Sequence, residues 1–287
     1  MKKITRRTFL KGSSALIPFL VSGFGYMYIR YIEPFYVHTV FKTLSSTTIP
    51  KELSGKRIVQ FSDIHLSSTY TLKKLRRLVE QINSLSPDLV FFTGDLIDAP
   101  QQYKESGEIP PILKQIRAPL GKFAVYGNHD HGGFGTNLYE EIMRKSHFQL
   151  LKNSSVRIEG SDEKALVIYG LDDVMLGKPN LAQTLHNASQ DFFSIVLVHE
   201  PDIAPEVARY PINLQLSGHT HGGQIQLPFI GPIVTPPYGT NYVEGLYTVQ
   251  HTAMKLYVNR GLGTTRLPFR LLAPPELTIF TLNHIRP

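Results

Sequence analysis

Short apolar runs recur along the chain at 57–61, 89–92, 122–125, 194–198 and 214–216, each rich in β-branched or aromatic residues and short enough to be a buried strand. Every run halts at a polar cluster: Asp63-Ile64-His65, Gly94-Asp95, Gly127-Asn128-His129-Asp130, His199-Glu200 and Gly218-His219-Thr220-His221. Each cluster therefore falls just past the carboxyl end of a predicted strand. In open α/β sheets ligand sites collect outside those ends, so the five clusters are expected to share one centre.

Residues 71–85 place Leu72, Leu75, Leu78, Val79, Ile82 and Leu85 on one helical face, with Lys73, Lys74, Arg76, Arg77 and Glu80 mostly opposite. That pattern predicts a packing helix with a solvated basic side. Its position between two strand runs, at βαβ spacing, predicts parallel pairing in the first half. The later runs at 165–169, 256–258 and 277–282 follow one another without long helices, which predicts a second sheet with antiparallel pairs. Short covering helices are expected at 138–146 and 203–209.

A chain of 287 residues, 42% hydrophobic, can bury one substantial core, and a single catalytic domain over 56–287 is expected. It has no cysteine, which excludes disulfides and thiolate ligands. Any metal must be held by imidazole, carboxylate, amide oxygen and water. The net charge of +7 is concentrated at the start: Lys2, Lys3, Arg6, Arg7, Lys11 and Arg30 precede the first acid, Glu33. Subtracting those six positives from +7 leaves +1 for the remainder, so no basic stripe argues for nucleic acid.

Those early charges frame an address. Thr5-Arg6-Arg7-Thr8-Phe9-Leu10-Lys11 precedes an uncharged stretch, 12–29, and the pair resembles a twin-arginine export signal. At 1.5 Å per residue the stretch reaches about 27 Å, marginal for a bilayer core. With no Ala-x-Ala cleavage site behind it, residues 1–32 are expected to stay as signal or membrane anchor, followed by a polar tether over 33–55. Basic residues ahead of the apolar run favour a cytoplasmic N-terminus and an exported body, membrane-anchored or associated with the cell wall.

Asp63 and His65 alternate across Ile64, so an extended segment would turn both toward one ion, although an isolated Asp-x-His also suits a turn. Asp95 adds a carboxylate beside Gly94. Asn128 supplies an amide oxygen, His129 can ligate or move a proton, and Asp130 is placed to orient it. His219 and His221 again alternate, flanked by Gly218, Gly222 and Gly223. His199 alone would suit a core, and gains weight from ending a strand.

The order Asp-x-His, Gly-Asp-x-x-Asp over 94–98, Gly-Asn-His-Asp, a lone His and Gly-His-x-His resembles the calcineurin-like metallophosphoesterases, over roughly 56–282. The leader, His199-Glu200-Pro201 and Asn259-Arg260-Gly261-Leu262-Gly263 are similar to the bacterial exported or membrane-associated branch, which includes enzymes acting like UDP-2,3-diacylglucosamine pyrophosphatases. The resemblance implies a four-layer αββα sandwich with two mixed sheets. It implies Asp63, His65, Asp95 and His221 around one metal, and Asp95, Asn128, His199 and His219 around the other, with Asp95 bridging. Asp98 and Asp130 match outer positions that hydrogen-bond ligand or catalytic histidines.

Two such cations clamp a phosphoryl group and generate hydroxide, so hydrolysis needs no serine or cysteine nucleophile. His129, oriented by Asp130, is the expected catalytic group, stabilising phosphoryl oxygens or protonating the leaving group. Mn is the first expectation for the metal, with Zn, Fe or Co fitting the same N/O donors. Arg260 and Arg266 are candidates for a substrate phosphate, and the Pro/Tyr-rich segment 227–242 for a cleft wall. The expected partners are a phosphate-ester substrate, the twin-arginine export machinery and the membrane; a monomer is expected. A lipid-linked pyrophosphatase, a non-catalytic metal-binding scaffold and a nuclease are the competing readings.

Overall fold

A computed structural model describes residues 23–131, 135–160 and 164–286. The Arg6-Arg7 motif and most of the apolar run behind it lie outside them. In chain order the strands are β1 (His38–Ser46), β2 (Arg57–Phe61), β3 (Leu89–Phe92), β4 (Gly121–Ala124), β5 (Gln149–Leu150), β6 (Ser154–Glu159), β7 (Ala165–Gly170), β8 (Phe193–Leu197), β9 (Leu214–Ser217), β10 (Gln226–Leu227), β11 (Gly231–Pro232), β12 (Gly245–Thr248), β13 (Lys255–Val258) and β14 (Glu276–His284). The helices are α1 (Leu72–Ser84), α2 (Ile109–Leu113), α3 (Asn128–His131), α4 (Gly135–Lys145), α5 (Leu181–Leu185) and α6 (Ala204–Val207).

Two six-stranded mixed sheets result, ordered β1-β14-β2-β3-β4-β5 and β12-β13-β9-β8-β7-β6. Alternation along each strand assigns its two faces to different cores. From β2 and β3, Ile58, Leu89 and Phe91 point into a core shared with Leu166, Ile168, Ile195 and Leu214 of the second sheet. Their neighbours Val59, Phe61, Val90 and Phe92 pack outward against Leu72, Leu75 and Ile82 of α1 and Ile112 of α2. On the far side Val167, Val196 and Val258 meet Leu185 of α5 and Val207 of α6. The layers are therefore helix, sheet, sheet, helix. The expected βαβ unit is present, with β2 parallel to β3 across α1.

Two expectations differ. The span read as a tether contains β1, hydrogen-bonded parallel to β14 from His38↔Glu276 to Ser46↔His284. As an edge strand β1 has no fully buried residue, so its sequence reads polar. The run at 277–282 belongs to the first sheet, antiparallel to β2, rather than to the second. The second sheet does carry antiparallel pairs as expected, β12 with β13 and β6 with β7 at its edges, around a parallel centre of β7, β8, β9 and β13. Among the described residues no helix is long and apolar enough to cross a membrane.

Candidate metal centre

The five polar clusters converge where β2, β3, β4, β8 and β9 end. Asp63, His65, Asp95, His199, His219 and His221 are all buried. Three groups of donor atoms lie within 4.8 Å of one another: Asp63 with His65 and His221, Asp63 with Asp95 and His199, and His65 with Asp98 and His129.

The turns that aim these side chains are not extended. Asp63, His65, Asp95, His219 and His221 have φ of 51°, 46°, 61°, 71° and 53°. Simple strand alternation, expected for Asp63/His65 and His219/His221, is replaced by left-handed turns that swing each side chain inward. A non-glycine residue held there costs about 1–3 kcal/mol and persists only where its surroundings enforce it, typically at functional sites. Glycines supply the closeness: a Cβ on Gly94 (φ +95°) would lie 2.5 Å from Gly127 N and 2.9 Å from His199 Nδ1.

Outer hydrogen bonds fix which nitrogen of each imidazole faces inward. Nδ1 of His199 donates to the Thr93 carbonyl at 2.6 Å, leaving Nε2 bare. Nδ1 of His65 donates to Asp98 Oδ1 at 3.1 Å, and again Nε2 turns in. In His219 the order is reversed, with Nε2 donating to Pro237 O at 2.8 Å and Nδ1 left over. The Asp63 carboxylate accepts the backbone N–H of His219 at 3.0 Å, tying the end of β2 to the end of β9.

The inward atoms fit cations. Nε2 of His65 and His221 face each other at 3.1 Å, and Asp63 Oδ1 lies 3.8 and 3.5 Å from them. Asp95 Oδ2 stands 3.4 Å from His65 Nε2 and 3.3 Å from His199 Nε2, between the two groups, as a bridging carboxylate would. Donors about 2.1 Å from a common ion lie roughly 3.0–3.4 Å apart. Asn128 Oδ1 and His199 Nε2 are buried with no hydrogen-bond partner, an expensive state that a metal ion relieves.

Electrostatics agree. Burial opposes a charged His199, yet Asp95 and Asp63 more than offset it and raise its pKa well above the ordinary imidazole range. His65 is likewise raised by Asp63, Asp95 and Asp98 against burial. With positive charge already placed there, burial and the neighbouring His199 push His219 down to about 4. Burial also drives His221 down to about 3, with His65 and Arg270 adding repulsion. The cluster demands cationic charge and has bare nitrogens ready for it.

His129 sits beside this group, with Nδ1 donating to the Asp98 carbonyl at 2.6 Å. It lines an open cleft of about 300 Å³ with Asp98, Gln102, Asn128 and Leu176. Asp130 does not orient His129 as expected. Its buried carboxylate accepts three backbone N–H groups, from Asp95 (2.7 Å), Leu96 (3.0 Å) and Gly127 (2.9 Å), and so staples two ligand loops together. The reason is reach: Asp130 lies on the first turn of α3, pointing back toward β3. Asp98 takes the outer role for both His65 and His129.

Of the arginines considered from sequence, Arg260 Nε is engaged by Glu276 at 2.9 Å, and Arg266 is solvent-exposed. The segment 227–242 does reach the centre, through Pro237. Sequence reasoning missed Arg270, which is fully buried. It donates to the carbonyls of Arg260 (2.9 Å), Gly263 (3.0 Å) and Ala273 (2.7 Å), and Nη2 lies 3.3 Å from His221 Nδ1. A lone charge that the fold buries, in the apolar run 267–273, was the available signal.

Residues 56–223 match the family model described as calcineurin-like phosphoesterase. The metallophosphoesterase YkuE of Bacillus subtilis is 50% identical over 285 residues, covering 99% of both chains. The UDP-2,3-diacylglucosamine pyrophosphatase LpxG of Chlamydia muridarum is 31% identical, over 80% of this chain and 85% of its own. The phosphodiesterase YaeI of Escherichia coli is 29% identical, over 97% of this chain and 99% of its own.

Proposed function

This chain belongs to the calcineurin-like phosphoesterase family, metal-dependent phosphoester hydrolases, and from that premise we propose that it cleaves a phosphate ester at a centre of two divalent cations. Asp63, His65, Asp95 and His221 would hold one ion; Asp95, Asn128, His199 and His219 would hold the other. The observation that carries this is Asp95 Oδ2 standing 3.4 and 3.3 Å from the inward Nε2 atoms of His65 and His199. Bound there, the cations would supply Lewis-acid polarisation of the phosphoryl group and acidify the attacking water.

The chain's own residues do the rest. Asp98 fixes the tautomers of His65 and His129, so Nε2 of His129 is presented to the cleft. As the imidazolium, with both nitrogens protonated, His129 would donate Nε2–H to a phosphoryl oxygen or pass that proton to the departing oxygen. Asp130 keeps the Asp95 and Asn128 loops in register. Mn is the proposed metal, with Zn, Fe or Co fitting the same nitrogen and oxygen donors.

A second reading, hydrolysis of a lipid-linked pyrophosphate, is favoured by the likeness to LpxG together with the apolar leader. The leader also supports export through twin-arginine machinery and retention at the membrane. The test is to measure bound metals in purified protein and screen phosphate mono-, di- and pyrophosphate esters before and after chelation. Two ions per chain with chelator-sensitive hydrolysis are expected. Two ions with no hydrolysis across the panel would leave the scaffold reading instead.

A further inference from the structure

The hairpin formed by β10 and β11 grows directly out of the metal-ligand loop. Gln226 Nε2 donates to Gly222 O at 2.8 Å, one residue after His221. Yet its tip is apolar and fully in solvent: Phe229 is 110% exposed, with φ of 66°, and Ile230 is 74% exposed. Ile233 and Val234 continue the patch. From Gly222 to Val243 there is no charged residue at all. Soluble chains rarely present so contiguous an apolar surface without a partner for it.

The patch does not end at the hairpin. The segment 267–273 lies beside it, with Gln226 N donating to Leu271 O at 2.8 Å, and exposes Leu267 and Leu272. On the other flank of that segment sit helical turns at 23–32. Arg270 N donates to Ile29 O at 3.0 Å, and the Tyr26 and Phe269 rings meet at 5.9 Å. These turns expose Phe24, Met27 and Tyr31. The chain before residue 23 carries the remainder of the uncharged run 12–29, with five lysines and arginines ahead of it.

We infer that the 226–234 hairpin, with Leu267 and Leu272, is a second membrane-docking element that dips into the outer part of a lipid bilayer beside the N-terminal segment. The occupant is fixed by continuity: the apolar chain expected to enter the membrane reaches the body on this very face. Arg266, exposed in the adjoining segment, suits anionic headgroups, and no acid interrupts 264–273. Such docking sets the metal centre at the headgroup layer, where ester-linked phosphate of amphiphilic substrates lies. The docking rests on the proposed retention of the leader at the membrane, and only that last consequence on the phosphoesterase reading.

The chain has no cysteine, so a single introduced thiol reports from one place. Phe229→Cys and, separately, Ile230→Cys in the full chain are labelled with an environment-sensitive fluorophore. The protein is reconstituted into vesicles of phosphatidylcholine and phosphatidylglycerol. Gln190→Cys, at the opposite end of the second sheet before β8, is the control. The hairpin labels are expected to show a several-fold rise in emission with a blue shift, and quenching by acyl-chain nitroxide lipids; the control label shows neither. Hairpin labels that stay in water on vesicle-bound protein would overturn the inference. So would a blue shift that needs no vesicles and grows with protein concentration, which would make the patch a protein–protein surface. No activity is read, so failure here is separate from failure of the proposed reaction.

Discussion

Replacing Arg270 by methionine should destabilise the protein by several kcal/mol although no carboxylate among the described residues forms an ion pair with it. Its guanidinium is fully buried and satisfies the carbonyls of Arg260, Gly263 and Ala273, with Gly261 O at 3.3 Å. Methionine fills similar volume but donates nothing. Each buried carbonyl left without a donor costs about 1–3 kcal/mol, so three of them set a gross loss of roughly 3–9 kcal/mol. Releasing a buried charge returns several kcal/mol of desolvation. The net expectation is a loss of about 3 kcal/mol, a large part of the 5–15 kcal/mol typical of folded domains. Urea unfolding of chelated protein measures it directly, and Arg270→Lys should fall between wild type and Arg270→Met. Unfolding free energies within about 0.5 kcal/mol of wild type would refute the argument that these carbonyls depend on Arg270.

Further outcomes can be checked on the same protein. His129→Gln should lower turnover by about 10²–10³ while metal content, read by elemental analysis, stays at the wild-type level. Asp98→Ala should weaken metal binding by roughly 10–100-fold in titration calorimetry, because His65 loses the acceptor that fixes its tautomer. Gly127→Ala would drive a Cβ into Asp95 Oδ1, so it should abolish metal-dependent stabilisation in thermal unfolding. The metal-free protein should lose stability as pH rises. The raised pKa values of His65 and His199 contribute stabilisation that is fully present below about 6.5 and fades as pH climbs through their folded values. Metal affinity should move oppositely, increasing with pH as those protons leave. Parallel chemical denaturation and metal titration between pH 6 and 9 would settle both signs.

The strands that carry the centre were legible because each is largely buried on both faces and reads as a short, mainly apolar run, unbroken from Leu89 to Phe92. The helix α1 was legible from its single apolar face. What sequence could not give was anything decided by distant partners. The strand β1 reads as polar tether because an edge strand needs no buried residue, and β14 gave no sign that it would insert between β1 and β2. The converging side chains were identified from their types and order, but not the left-handed turns that aim them. Asp130 illustrates the limit: adjacency to His129 suggested an orienting pair, whereas the first turn of α3 sends its carboxylate back to the Asp95 loop. Arg270 escaped because its partners are backbone carbonyls, which leave no trace in a motif.

The central claim is that Asp95 stands between two cations. Crystals grown with Mn and measured at the Mn absorption edge test this most directly. The account predicts two anomalous peaks about 3.5–4 Å apart, one beside Asp63, His65 and His221, the other beside Asn128, His199 and His219, with the Asp95 carboxylate touching both. A single peak, or a pair that leaves Asp95 uncoordinated, would contradict it.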